Sequence, residues 1–268
     1  MLSLRVLDPI KDNISAALAL RKYVFGDEEG LLSKPDEDEY DYLPSTKHLL
    51  VNDGLKPVST ARLLFRNDDV ARDKEVIYGL AVEELLNLFP LNGSGKVPAE
   101  CGRIATLKEY RRKTGATRLL LAGAYWVSRD AKVDVWVATV NAQTAAACDA
   151  YLMSQVASAR RLEGPWCVGA RVHSMPSIHP PTTFYEAPHW ARALRGELRE
   201  LPLPEVLTLF VNKMGAHVMG APLFLPDFSR WAIPISAFLS EIPARTLTQF
   251  NALEQALISR GEAPRRAA

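Results

Sequence analysis

The sequence predicts an α/β protein, and three stretches carry that prediction. Residues 99–121 read as a strand, a basic turn with one glycine, and the opening of a long apolar helix. Residues 48–51 and 58–65 are apolar runs on either side of an Asn52-Asp53-Gly54 turn signal, which is the pattern of a hairpin. Residues 133–140 form a strongly β-branched strand, and an alanine-rich helical run follows at 141–151.

Composition limits the classes of function. A chain of 268 residues can bury a substantial core. Lysine and arginine total 32 against 31 acids, so no global charge calls for nucleic acid. The three cysteines, Cys101, Cys148 and Cys167, are widely spaced and odd in number, which argues against a disulfide framework and for a reducing cytoplasm. Charges interrupt the leucine-rich patches of residues 1–25, so no signal peptide is expected, and no uncharged apolar run reaches bilayer length.

Taken in order, residues 3–7 alternate as a first strand. Asp12 or Asn13 then caps a helix expected to end at Gly26. Ile14, Leu18, Arg21 and Phe25 share one stripe of that helix, so Arg21 is expected to snorkel at the edge of the core. Residues 27–44 lack an apolar stripe, and their acids Asp36, Glu37, Asp38, Glu39 and Asp41 read as a solvated loop. After the hairpin come a charged loop at 67–74, a short amphipathic helix at 79–89 stopped by Pro90, and a glycine- and proline-bearing loop to residue 98. The helix following Gly115 is expected to run through Arg129, and 166–172 reads as a further strand.

From His173 the texture changes. Pro176, Pro180, Pro181 and Pro188 oppose regular structure, and His173, His179 and His189 lack metal-ligand spacing, so no metal site is expected. Residues 204–214 read as a helix with proline at its start and Gly215 at its end. A short strand, a last strand at 231–239 and an amphipathic helix at 244–260 complete the chain.

One residue in the central strand calls for explanation. Glu100 is an ionisable carboxylate in an otherwise apolar, small or β-branched run, and burying it without a partner or a task costs several kcal/mol. Arg103 follows three positions later. Simple alternation puts the two on opposite faces, so a bulge near Gly102 is needed for both to reach one site. Past Tyr110 come Arg111, Arg112, Lys113, Thr114, Gly115, Ala116, Thr117 and Arg118. Arginines and a glycine in front of a helix N-terminus form a site for phosphate.

That strand, R-x-x-G-x-small turn and helix resembles the acyl-donor motif of the GNAT N-acyltransferase superfamily, with Thr117 where Gly or Ala is usual. The E-x-x-R of Glu100 and Arg103 is similar to acyl-homoserine lactone synthases, long-chain N-acyl amino acid synthases and ornithine N-acyltransferases. Arg21 and Phe25 match an R-x-x-x-F near the start of that group, Asp38 and Asp41 match its D-x-x-D, and Arg62 matches the arginine that follows. The tryptophan that lactone synthases carry between helix and acidic pair is Leu31 or Leu32 here, and the helix ending at Gly215-Ala216, Gly220-Ala221-Pro222, Asp227-Phe228 and the last strand resemble the C-terminal part of ornithine-type enzymes.

The resemblance implies a mixed, mostly antiparallel twisted sheet flanked by helices. It places a GNAT-like core at 1–172, a continuation of the same fold at 173–243, and a terminal helix and tail at 244–268. It implies transfer of a long-chain acyl group from a phosphopantetheine thioester to the α-amine of an amino acid, with Glu100 as general base. Arg103 belongs to the catalytic pair. Arg111, Arg112, Lys113, Gly115, Ala116 and Thr117 face the donor, and Arg21, Phe25, Asp38, Asp41 and Arg62 the substrates. No permanently bound cofactor is implied. The donor is acyl-carrier protein or acyl-CoA, with the carrier protein favoured because its acidic surface suits Arg111, Arg112, Lys113 and Arg118. The alternatives are a lactone synthase using S-adenosylmethionine and a non-catalytic acyl-binding protein.

Overall fold

The structure, a computed structural model, describes residues 1–32, 36–111, 115–171 and 182–261. In chain order the elements are β1 (Leu2–Leu7), α1 (Ser15–Lys22), β2 (Thr46–Asp53), β3 (Lys56–Phe65), α2 (Asp68–Asp73), β4 (Leu86–Asn87), β5 (Pro98–Thr106) and α3 (Ala116–Asp130). They continue as β6 (Val135–Asn141), α4 (Ala147–Ala159), β7 (Glu163–Ala170), α5 (Ala187–Leu194), α6 (Glu205–Met214), β8 (His217–Gly220), β9 (Leu223–Leu225), β10 (Arg230–Phe238) and α7 (Ala244–Ile258). This is the expected mixed α/β fold, with mostly antiparallel strands flanked by helices. Two compact units result: one holds Met1–Ala81, Val97–Trp136 and the residues from Ala244, and the other Val82–Lys96 and Val137–Pro243.

In the first unit the strands run β1-β2-β3-β5, each antiparallel to its neighbour. The β2–β3 hairpin forms about the Asn52-Asp53-Gly54 turn as its sequence predicts, pairing Leu50 with Thr60 and His48 with Arg62. β3 is buried from Val58 through Leu64, so both of its faces are covered and its polar members Thr60 and Arg62 go inside with the apolar ones. α1 packs on β3 and β5, and α3 on β1, β2 and β3. α7 closes against α3 through Tyr125 and Phe250, whose rings lie 5.7 Å apart, and through the Arg129–Glu254 ion pair at 3.0 Å.

In the second unit the order is β6-β10-β8-β7-β4, with β9 on β10 and with β7 and β8 parallel. The Asp149 carboxylate, in the first turn of α4, accepts from Thr144 Oγ1 at 3.1 Å and from the backbone N–H groups of Phe184 at 2.6 Å and Tyr185 at 3.3 Å. That bond set holds the segment entering α5.

The structure corrects several expectations. Helix α1 stops at Lys22 and continues as a π-turn, Tyr23–Glu28, rather than as α-helix to Gly26. Residues 79–89 are not a helix: a 3-10 turn (Ala81–Glu84), the two-residue β4 and a second 3-10 turn (Phe89–Leu91) take their place. Residues 67–74 contain α2, whose N-cap Asn67 accepts from Asp69 N and Val70 N. The alanine-rich helix begins at Ala147, after a turn in which Gln143 has φ +57°, and runs to Ala159. The proline-bearing region includes α5, with Pro188 in its first turn, where no intrahelical donor is lost. His173, His179, Pro176, Pro180 and Pro181 lie outside the described residues. Among the described residues no helix is long and apolar enough to cross a membrane.

Candidate active site

The first unit brings three arginines and four carboxylates together. Arg21, on α1, is wholly buried rather than snorkelling. Its Nε donates to Asp36 Oδ2 at 2.9 Å, Nη1 to Asp41 Oδ1 at 2.6 Å, and Nη2 to Asp41 Oδ2 at 3.1 Å and to the Asp36 carbonyl. Arg62, 1% exposed on β3, donates through Nη1 to Asp38 Oδ1 at 2.5 Å and to Asp41 Oδ1 at 3.0 Å. Arg103, on β5, pairs with Asp36 and, at 3.1 Å, with Asp38 Oδ2.

Three aspartates of the acidic segment, Asp36, Asp38 and Asp41, thus each bridge a pair of arginines, and Asp36, expected as a solvated loop residue, is a buried member of the cluster. Buried guanidinium groups in a low-dielectric core require carboxylates, and this demand drew Asp36 inside. Glu37 and Glu39 do lie outward, bonded to Tyr42 and Lys74.

Glu100 joins this cluster from β5. It is buried, and its Oε1 lies 3.8 Å from Arg62 Nη2, an ion-pair distance longer than a hydrogen bond. A Cβ at Gly102 would stand 3.3 Å from that same oxygen, so the glycine makes room for the Glu100 carboxylate.

The ladder between β3 and β5 slips next to this point. Thr60 pairs with Ala105 and Arg62 with Gly102, so Arg103 and Ile104 oppose the single residue Ala61. The left-handed residue of the bulge is Arg103, at φ +52°, and not the glycine before it. A β-bulge resets side-chain alternation, and Arg103 consequently reaches Asp38, which Arg62 also holds. A non-glycine residue in this conformation costs of order 1–2 kcal/mol, which its ion pairs with Asp36 and Asp38 help offset.

The electrostatics of the cluster follow from burial working against pairing. Burial pushes the Asp41 carboxyl upward, but the Arg21 hydrogen bond and the Arg62 and Arg21 charges outweigh it and hold Asp41 at about 2. Burial likewise opposes the Arg62 charge, and Glu100, Asp38 and Asp41 more than compensate, so its proton is held more tightly than usual. Cys101, beside Glu100 in sequence, is pushed up to about 12 by burial and is no nucleophile at neutral pH.

The basic turn lies at the end of the same strand. Gly115 caps α3 with φ +79°, a left-handed conformation suited to glycine, and among the described residues a Cβ there would meet nothing within 4 Å. Ala116 is buried, and Thr117 Oγ1 lies 3.5 Å from Thr106 Oγ1. Arg111 is already engaged: Nε donates to the Thr106 carbonyl at 2.9 Å, and Nη2 pairs with Glu28 and Glu29, each at 2.6 Å. Arg112 and Lys113 lie outside the described residues. Phe25 is half-buried in the π-turn that carries Glu28. Among the described residues no group of three or more His, Cys, Asp or Glu could hold a metal ion.

A bulge beside a buried carboxylate, on a strand followed by a glycine turn and a helix, sits in a fold of the GNAT-like acyltransferase kind. Residues 16–166 match the family described as N-acyl amino acid synthase FeeM, and the chain belongs to that family. The solved structure of FeeM, an N-acyl amino acid synthase from uncultured soil microbes, is 12% identical, with 90% of this chain and 92% of that chain covered and a TM-score of 0.51. Also similar is the CoA-dependent acyl-homoserine lactone synthase BjaI, solved with SAM and isopentyl-CoA, at 14% identity, 94% and 89% coverage and a TM-score of 0.48. TofI, solved in a ternary complex with an inhibitor and MTA, is 16% identical with 93% and 96% coverage and a TM-score of 0.47. Among curated proteins nothing matches.

Two members of the cluster escaped the sequence reading. Asp36 was hidden in a run of acids that all look solvated. His48 is wholly buried and is the cross-strand partner of Arg62. Its signal was available in the hairpin register, which places it opposite an arginine already singled out.

Proposed function

We propose that this acyltransferase moves a long-chain acyl group from a phosphopantetheine thioester to the α-amine of an amino acid, with Glu100 as general base. The observation that supports this most directly is the Arg103 bulge, which gathers Glu100, Arg103, Arg62 and Asp38 around one point of the strand that leads to the Gly115 turn. The acceptor amine, with a reference pKa of about 7.7–8.0, must lose a proton to attack, and a carboxylate can take it directly or through one water. Attack on the thioester carbonyl forms a tetrahedral intermediate. Its oxyanion would be met by backbone N–H groups beside the bulge, and collapse breaks the C–S bond to expel the thiolate, which takes up the proton that Glu100 removed from the amine.

The donor phosphate would lie against the first turn of α3 and Arg112. Arg21, wholly buried and donating from all three nitrogens, serves the acidic segment rather than the acceptor carboxylate. Arg103, 26% exposed, is the better placed guanidinium, with Arg62 behind it. Acyl-carrier protein is the favoured donor and the cytoplasm the favoured location, although the engagement of Arg111 with Glu28 and Glu29 leaves the exposed Arg118 as the first contact on the described part of the turn.

The test is transfer of a radiolabelled acyl chain from acyl-carrier protein or acyl-CoA to a panel of amino acids, with products read by mass spectrometry. Glu100→Gln should lower turnover at neutral pH by about 10²–10⁴-fold and recover partly as pH rises past the amine pKa. A folded Glu100→Gln protein with unchanged turnover overturns the base assignment.

A further inference from the structure

We propose that His48 is a positioning residue for the acyl-transfer site, acting as a neutral Nε2–H donor that fixes the Asp38–Asp41 turn. The proposal rests on the reading above that Glu100, Arg62 and Arg103 form that site.

His48 Nε2 lies 2.9 Å from the carbonyl oxygen of Asp41. A carbonyl only accepts, so Nε2 carries the hydrogen and Nδ1 is left with its lone pair. That Nδ1 is buried and, among the described residues, has no hydrogen-bond partner. The 3-10 turn Glu39–Tyr42 is fastened to β2 at two points, through this bond and through Thr46 Oγ1, which donates to the Tyr40 carbonyl at 2.5 Å.

The turn carries the carboxylates that aim the arginines. Asp41 receives Arg21 and Arg62, and Asp38 receives Arg62 and Arg103. Arg62, held at Nη1 by both acids, keeps its Nη2 3.8 Å from Glu100. A chain of contacts therefore leads from the imidazole to the carboxylate assigned as base. His48 acts through Asp41 and touches no reacting atom.

The surroundings require the neutral form. Burial opposes a charge on the ring most strongly; the bond to the Asp41 carbonyl and the Asp41 carboxylate, with Oδ1 3.9 Å from Nε2, favour one, and Arg21 from α1 and Arg62 from β3 oppose it. From β1 the facing residue is the uncharged Leu7. Protonation would add a third cation to a buried pair of arginines and give Nδ1 a hydrogen with no acceptor.

The experiment compares His48→Phe, which keeps bulk but removes the donor, with His48→Gln, which restores an N–H at similar reach. Each is assayed as folded protein with the preferred acyl donor and amino acid. Loss of a buried carbonyl's bond predicts a fall in kcat of about 10- to 100-fold for His48→Phe, with the donor KM nearly unchanged and the acid limb of the pH–rate profile displaced. His48→Gln should stay within about threefold of wild type. A folded His48→Phe protein with wild-type kcat and pH profile overturns the proposal.

Nitrogen-15 NMR of the wild-type ring supplies a readout that needs no turnover. A neutral ring protonated on Nε2 at pH 7 is expected, and a charged ring or the Nδ1–H tautomer overturns the proposal. Absence of acyl transfer by the wild-type protein would refute the catalytic reading, whereas the tautomer alone decides whether His48 holds Asp41.

Discussion

Replacing Asp41 by asparagine isolates the charge that holds the arginine cluster together. The wild-type carboxylate accepts four hydrogen bonds: Arg21 Nη1 at 2.6 Å, Arg21 Nη2 at 3.1 Å, Arg62 Nη1 at 3.0 Å and the Asp38 backbone N–H at 3.0 Å. Asparagine keeps one accepting oxygen and turns the other side of the group into a donor that faces guanidinium N–H groups. Arg21 and Arg62 also lose a counter-charge in a core where both are buried. Removing one partner of a buried ion pair typically costs about 3–5 kcal/mol, and the whole of that range applies here because two cations share the acid. Asp38→Asn is the internal control. Asp38 is 27% exposed and its charge is partly solvated, so a loss of about 1 kcal/mol is expected. Urea unfolding of wild type and both variants at neutral pH measures the difference. An Asp41→Asn protein within about 1 kcal/mol of wild type would refute the claim that this carboxylate organises the site. The same substitution should also lower turnover, because Asp41 holds the Arg62 guanidinium beside Glu100. The buried position of Asp41 makes loss of stability the larger effect.

Other consequences can be measured separately. Asp41, held at about 2 from an ordinary 3.8, contributes stability that is present above pH 3.8 and is lost as pH falls through 2, about 2–3 kcal/mol in all, which acid unfolding of wild type against Asp41→Asn should show. His48 has the sign of a base whose folded value is lowered by burial: below 6.5 the unfolded chain binds a proton that the native state refuses, so stability should already decline from that pH downward, and less so in His48→Gln. Arg103→Gly should be more stable than Arg103→Ala by about 1 kcal/mol in urea, since both lose the same ion pairs and only glycine relaxes φ +52°. Gly115→Asp should raise the KM for the acyl donor far more than that for the amino acid, because it places a carboxylate and a strained backbone at the mouth of α3, and equal effects would assign the turn a structural role only. Cys148 and Cys167 should be alkylated readily in the native protein and Cys101 only on unfolding, as mass spectrometry can report.

Much of this protein was legible from residue order because it depends on neighbours in the chain. Alternation and the Asn52-Asp53-Gly54 turn determine the β2–β3 hairpin, and with it the His48–Arg62 pairing. The strand of Glu100, the Gly115 cap and the apolar α3 follow from local periodicity and from glycine's access to left-handed backbone. The need for a bulge follows from strand period alone, since Glu100 and Arg103 are an odd number of residues apart.

What the tertiary structure decided is where charge is allowed to be. No local pattern distinguishes Asp36 from Glu37 or Glu39, yet Asp36 is buried against Arg21 and Arg103 while the other two face outward. No helical stripe reveals whether Arg21 reaches water or is sealed in, because the answer lies in an acidic segment fifteen and twenty residues away. The same holds for Arg111, whose partners Glu28 and Glu29 come from a π-turn that the α-periodic reading did not contain. Long-range ion pairs form only after the backbone has brought distant segments together, and their energy depends on the burial that this packing creates.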